Sequence, residues 1–98
     1  MLMDTDEVSR RVQKCLRKFL DSSGRKDQAI SGQTNLHTGF GFSSDEGLDL
    51  VLELCDEFNY EFPNDFNPVI HRDGKRGNSV NELTAAVSHY LANAKASA

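Results

Sequence analysis

The stretch FGFSSDEGLDLVLELCDEF, residues 40–58, decides the fold. A glycine-bounded loop gives way there to an apolar, acid-striped segment, and two adjacent serines, Ser43 and Ser44, stand at the change. Ser43 with Glu46 three residues on is the Ser-x-x-Glu pattern in which each side chain satisfies the other residue's backbone N–H. Ser43 therefore reads as the N-cap and Ser44 as the first helical residue. The helix covers about 44–58, and its apolar residues Leu48, Leu50, Val51, Leu52, Leu54, Cys55 and Phe58 span an arc wide enough to predict burial on more than one side. Asp45, Asp49, Glu53 and Asp56 succeed one another at spacings of four, four and three, which stacks them along one acidic face. Gly47 in the first turn is worth about 1 kcal/mol less than alanine, which predicts a loosened helix start.

One serine is enough to begin this helix, so Ser44 is spare. Its hydroxyl would stand at the positive end of a helix dipole, where an attached phosphate diester is electrostatically favoured. The plain alternative is a polar first-turn residue.

Working outward, Val8, Val12, Cys15, Leu16, Phe19 and Leu20 fall at helical spacing between about Asp4 and Asp21, with Arg10, Arg11, Lys14, Arg17 and Lys18 largely elsewhere. Asp4 with Glu7 suits an N-cap, and SSGRKD from Ser22 ends this helix. The connection from about Gly24 to Ser43 carries isolated apolar residues, Ile30, Leu36, Phe40 and Phe42, that read as pins tying irregular backbone to a core. After residue 58, Pro63 and Pro68 permit at most a turn or one short helix between them. HRDGKRG, residues 71–77, with three bases, two glycines and no apolar residue, reads as a mobile surface loop that contributes little to the core. A last helix begins after Ser79, with Glu82 completing a second capping box and Val80, Leu83, Ala86, Val87, Tyr90 and Leu91 inward; its tail, residues 93–98, is expected to fray. No segment alternates with period two. The fold class is all-α, a single small helical bundle of three main helices with at most one further short helix before the last.

Composition bounds the function. Ninety-eight residues give one modest core. No apolar run approaches the roughly 20 residues that span a bilayer, and the start, MLMDTDEVSRR, lacks a basic region followed by an apolar stretch, so a cytoplasmic protein without membrane attachment is expected. Cys15 and Cys55 lack metal-ligand spacing and read as free thiols. The net charge of −4 is unevenly spread: residues 45–65 hold eight acids and no base, while each flank sums to +2. That segment repels phosphates and attracts basic protein surfaces, which excludes nucleic acid as the main partner.

From Gly41 onward, GFSSDEGLDLVLELCDEFNYEFP resembles the second-helix signature of acyl carrier proteins: a glycine, a spacer, Asp-Ser-Leu, then an apolar and acidic helix ending in Glu-Phe and a short pair closed by proline. Aligned on Glu57 and Phe58, the family's modified serine falls on Ser44 and its preceding aspartate on Ser43. TNLHTGFGF from Thr34 is similar to the family's Thr-x-Leu approach to that motif, and SVNELTAAVSHYL from Ser79 to its last helix. The resemblance implies a carrier, not an enzyme. A phosphopantetheinyl transferase would move 4'-phosphopantetheine from coenzyme A onto Ser44, and the arm's thiol would bear acyl or aminoacyl groups as thioesters, as in fatty acid or polyketide biosynthesis. Partner enzymes with basic docking patches would read Asp45, Asp49, Glu53 and Asp56; a monomer is expected. Two departures stand out: Ser43 replaces the aspartate, and Asp45 replaces the leucine that the transferase contacts. An alternative of a different class therefore stays open, an unmodified carrier-like module that binds a protein partner through its acidic second helix.

The remaining constellations carry less. Gly39-Phe40-Gly41 has no strand before it and no lysine after it, as a nucleotide loop requires. Asp45 with Asp49 reads as a solvated face rather than a metal site. His37, His71 and His89 lie in three separate segments, so no hydrolytic pair with Ser44 is legible.

Overall fold

The computed structural model describes residues 4–71 and 73–97, the side chains of 94–97 excepted. Three helices, α1 (Thr5–Ser22), α2 (Ser44–Phe58) and α3 (Val80–Ser97), make up the regular structure, and the described residues form no strand beyond two isolated bridges. The all-α expectation holds at this level. Between Pro63 and Pro68 the chain makes a turn, closed by Phe66 N–H on the Pro63 carbonyl at 3.0 Å, and the described residues between α2 and α3 form no short helix. Each proline lacks an N–H and restricts the residue before it, so the four residues between them cannot propagate helical bonds. No described helix is long and apolar enough to cross a membrane.

α1 is the central element. Asp4 caps it by accepting the Glu7 N–H at 2.8 Å, and Val8, Val12, Cys15, Leu16 and Leu20 are buried along its inner stripe. α2 packs on one part of α1 and α3 on another, and α2 and α3 share no direct backbone contact among the described residues. The connections fill the space between them. Of the expected pins in the first connection, Leu36, Phe40 and Phe42 are buried and Ile30 is half-buried against the core, and Phe62 and Val69 from the second connection are buried with them. Tyr60, Phe62, Phe66 and Tyr90 stack edge-on or tilted at 4.8–5.9 Å between ring centroids, joining the second connection to α3. Geometry of this kind adds to burial, at about 0.5–1.5 kcal/mol per pair.

This arrangement corrects the reading of α2 as buried on more than one side. With α1 as its only helical neighbour among the described residues, α2 buries Gly47, Leu50, Leu54 and Phe58, whereas Leu48 and Leu52 remain 53% and 64% exposed. Nor is the outer side of α1 a free basic surface. Lys18 reaches Glu53 at 3.3 Å and Lys14 reaches Glu57 at 3.2 Å, while Arg17 donates to the carbonyls of Lys26 and Gln28 in the loop that follows. The thiol of Cys15 donates to the Glu53 carbonyl at 3.8 Å, and burial pushes it up to about 11. Cys15 and Cys55 are both free, Cys55 being half-buried.

Residues 71–77 are not the free loop expected. The His71 N–H bonds the Arg76 carbonyl at 2.8 Å, Ile70 bridges to Gly77, and the adjoining Asn78 is buried, its amide donating to the Pro68 and Ile70 carbonyls. Arg72 lies outside the described residues. The hairpin is fastened to α3 through Glu82, which takes both Arg76 nitrogens at 2.8 and 2.5 Å, lies 3.5 Å from His71 Nε2, and completes the α3 capping box with Ser79. Polarity alone predicts mobility here, but the charges pair with one another and with the helix start. α3 is helical from Val80 to Ser97, and alanine, the best helix former, recurs along its last turns.

Arg76 foremost, then the Ser79 N–H, holds the Glu82 carboxyl down at about 2, from an ordinary 4.5. A depressed carboxylate adds stability above its unfolded pKa and loses it as pH falls through the folded one. Acid denaturation is therefore expected to steepen between pH 4.5 and about 2. Glu82→Gln is expected to flatten that window and to lower neutral-pH stability by about 1 kcal/mol, since the pair is partly solvated. Urea midpoints across pH, compared between the two proteins, check this; parallel curves would remove Glu82 as the cause.

Candidate functional site

The start of α2 is built from three separate parts of the chain. Ser43 is extended, with φ −82° and ψ 167°; its Oγ accepts the Glu46 N–H at 3.1 Å, and Glu46 Oε1 accepts the Ser43 N–H at 3.0 Å. Both halves of the capping box are therefore in place, as the spacing predicts. Ser44 is the first helical residue, exposed, and no hydrogen bond among the described residues engages its hydroxyl. The assignment of one serine to capping and the other to solvent is thus the geometry of the site.

Arg25 holds the cap from outside. Its guanidinium makes two bonds to Glu46, Nη1 to Oε2 at 2.8 Å and Nη2 to Oε1 at 3.0 Å, and it lies 5.0 Å from the centroid of the Phe42 ring. Nη2 also donates to the Gly41 carbonyl at 3.3 Å. The bidentate fork and the aromatic face both favour arginine over lysine here. Arg25 foremost, with Ser43, draws the Glu46 carboxyl below its ordinary pKa. His37 adds a further tie: its Nδ1 lies 2.7 Å from the Phe42 carbonyl, which can only accept, so Nδ1 carries the proton.

Asn67 latches the helix from the other connection. Its Nδ2 donates to the Ser44 carbonyl at 3.0 Å, and its Oδ1 accepts the Val69 N–H at 3.0 Å. Gly47 makes this approach possible, because a Cβ there would lie 1.9 Å from Asn67 Oδ1. Gly47, expected to loosen the helix start, is a buried close-packing position, and the start it occupies is held by Asn67.

Asp45, Asp49 and Asp56 are exposed on the solvent side of α2 and share it with Leu48 and Leu52, since residues four and seven apart fall on one face. Glu53, expected to belong to this face, is half-buried and paired with Lys18 at its edge, and Glu57 is drawn further round by Lys14 and by Arg11 at 3.8 Å. The outer surface of α2 is therefore three free carboxylates interleaved with two leucines.

Sequence reasoning missed Arg25, Asn67 and the leucines. Arg25 stands 21 residues before Glu46 and Asn67 stands 23 after Ser44, so no local periodicity links them. Gly47 carried a signal: a glycine inside an otherwise strong helical pattern often marks a close approach. No family model, no curated protein and no solved structure matches the chain.

Proposed function

We propose that the chain is a carrier that holds an acyl or aminoacyl group as a thioester on a phosphopantetheine arm at Ser44. The observation that carries this reading is an exposed, unengaged hydroxyl on the first residue of a helix whose start is fixed from both connections by Arg25 and Asn67. An arm attached there gains from the helix dipole, and a rigid base gives partners a defined point of departure. In the transfer, Ser44 Oγ bonds the phosphorus next to pantetheine in coenzyme A, the hydroxyl proton leaves, and the bond to the adenosine 3',5'-bisphosphate leaving group breaks. Intact mass spectrometry after incubation with coenzyme A and several phosphopantetheinyl transferases, a broad-specificity one included, tests it. A gain of one phosphopantetheine on the peptide holding Ser44 is expected; no gain with any transferase, nor on protein from its native host, sinks the reading.

Asp45 favours a second reading, an unmodified module that binds its partner through α2, because a charge follows Ser44 where the carrier pattern has leucine. Both readings share one docking face. Partners with a basic patch, transferase and acyl- or aminoacyl-handling enzymes in the first reading, meet Asp45, Asp49 and Asp56 with their cations and Leu48 and Leu52 with an apolar centre. Asp49→Lys with Asp56→Lys is expected to slow association about tenfold at low salt and to flatten its salt dependence. Leu52→Ser is expected to speed dissociation by a similar factor. Surface plasmon resonance against a partner separates the two effects, and unchanged rates in both variants would remove this face.

A further inference from the structure

A cavity of about 750 Å³ lies between the second connection and α3, within the ~300–1,000 Å³ of small-ligand sites. It adjoins the start of α2, because Asn67, whose amide holds the Ser44 carbonyl, is also part of its wall. An arm leaving Ser44 thus starts within one side chain of this space.

The walls are of two kinds. Phe66 and Tyr90, with centroids 5.1 Å apart and planes at 59°, supply aromatic surface, and Ile70 and Ala86 add apolar surface. Among the described residues of the wall, the charged groups are carboxylates. Glu82 shares its charge with Arg76 and His71, whereas Asp65 is exposed and makes no hydrogen bond or ion pair among the described residues. No lysine or arginine lines the cavity among the described residues, and both ring nitrogens of His71 face carboxylates, Asp73 at 3.3 Å and Glu82 at 3.5 Å. An aliphatic chain drawn in here would lie against carboxylate, amide and imidazole groups and would strip their water without replacing it. A protonated amine meets the unmatched carboxylate of Asp65 and the aromatic surface of Phe66 and Tyr90.

We infer that this cavity receives the head of the cargo, and that the cargo is aminoacyl, bearing a primary ammonium, rather than a plain fatty acyl chain; the inference rests on the carrier reading of Ser44.

Tethering tests the cavity without any transferase. In a Ser44→Cys, Cys55→Ala chain, with Cys15 left in its buried position, a pantetheine-length thiol is joined to residue 44 through a disulfide. One version ends in a primary amine and the other in a methyl group of similar size. The amine-ended arm is expected to shift the backbone amide signals of Ile70, Ala86 and Tyr90 in two-dimensional ¹H–¹⁵N spectra, with occupancy at least about fivefold above that of the methyl-ended arm. Asp65→Asn, at an exposed position that leaves the core untouched, is expected to remove most of that preference. Equal shifts from the two arms, a larger shift from the methyl-ended arm, or none from either overturns the inference. The transferase assay stands apart: no modification of Ser44 together with amine-selective shifts defeats the carrier reading and leaves the cavity an amine site. Full modification with no selectivity does the reverse.

Discussion

Ser44→Ala is expected to abolish phosphopantetheine attachment outright while leaving the thermal midpoint unchanged, and Ser43→Ala is expected to do the opposite. The contrast follows from what each hydroxyl touches. Ser43 Oγ accepts the Glu46 N–H, so its removal leaves one helix-start donor unsatisfied and loosens the carboxylate that Arg25 grips. The loss is about 1 kcal/mol, or about 4–8 °C in a domain of this size. Ser44 Oγ has no partner among the described residues to lose, and the cap that satisfies this helix start is Ser43, not Ser44. Mass spectrometry reads the first effect and a melting curve the second. A Ser44→Ala chain that still gains the arm would move the attachment elsewhere, and a Ser43→Ala chain that melts normally would mean that Arg25 and Asn67 hold the helix start without the cap.

The parts of this molecule that were legible from the sequence are those whose partners lie within one helical turn. Asp4 with Glu7, Ser43 with Glu46 and Ser79 with Glu82 each mark a helix start three residues apart, and all three starts stand where those pairs place them. Hydrophobic spacing likewise identified the inner stripe of α1. Spacing says which residues are apolar, however, and not whether a neighbour exists to cover them. Leu48 and Leu52 belong to the apolar arc of α2, but α3 does not come to that side, so they join the acidic face instead. Charge counting had the same blind spot. Glu53 and Glu57 are part of the acidic run, and only the packing of α1 against α2 reveals that Lys18 and Lys14 draw them aside. The polarity of residues 71–77 predicts mobility, yet their polar groups close on each other and on Glu82.

Gly47 is where local propensity and tertiary packing point in opposite directions, so the sign of one substitution decides between them. In an isolated helix Gly47→Ala would stabilise by about 1 kcal/mol. Here the new Cβ would stand 1.9 Å from Asn67 Oδ1 and 2.8 Å from its Cγ. The amide cannot swing clear at no cost, because one end holds the Ser44 carbonyl and the other the Val69 N–H, and Val69 is fully buried. Losing both bonds, at about 1 kcal/mol each, and leaving the Val69 N–H without a partner outweigh the propensity gain. Gly47→Ala is therefore expected to destabilise by about 1–3 kcal/mol in a urea titration. Asn67→Ala alone is expected to destabilise by a similar amount, but in that background Gly47→Ala becomes neutral or stabilising, since nothing remains for the methyl group to displace. The resulting coupling, about 1 kcal/mol or more, is the signature of direct contact. A stabilising Gly47→Ala in the otherwise unaltered chain would mean that Asn67 does not hold this helix start, and with it would go one of the two supports on which Ser44 is presented.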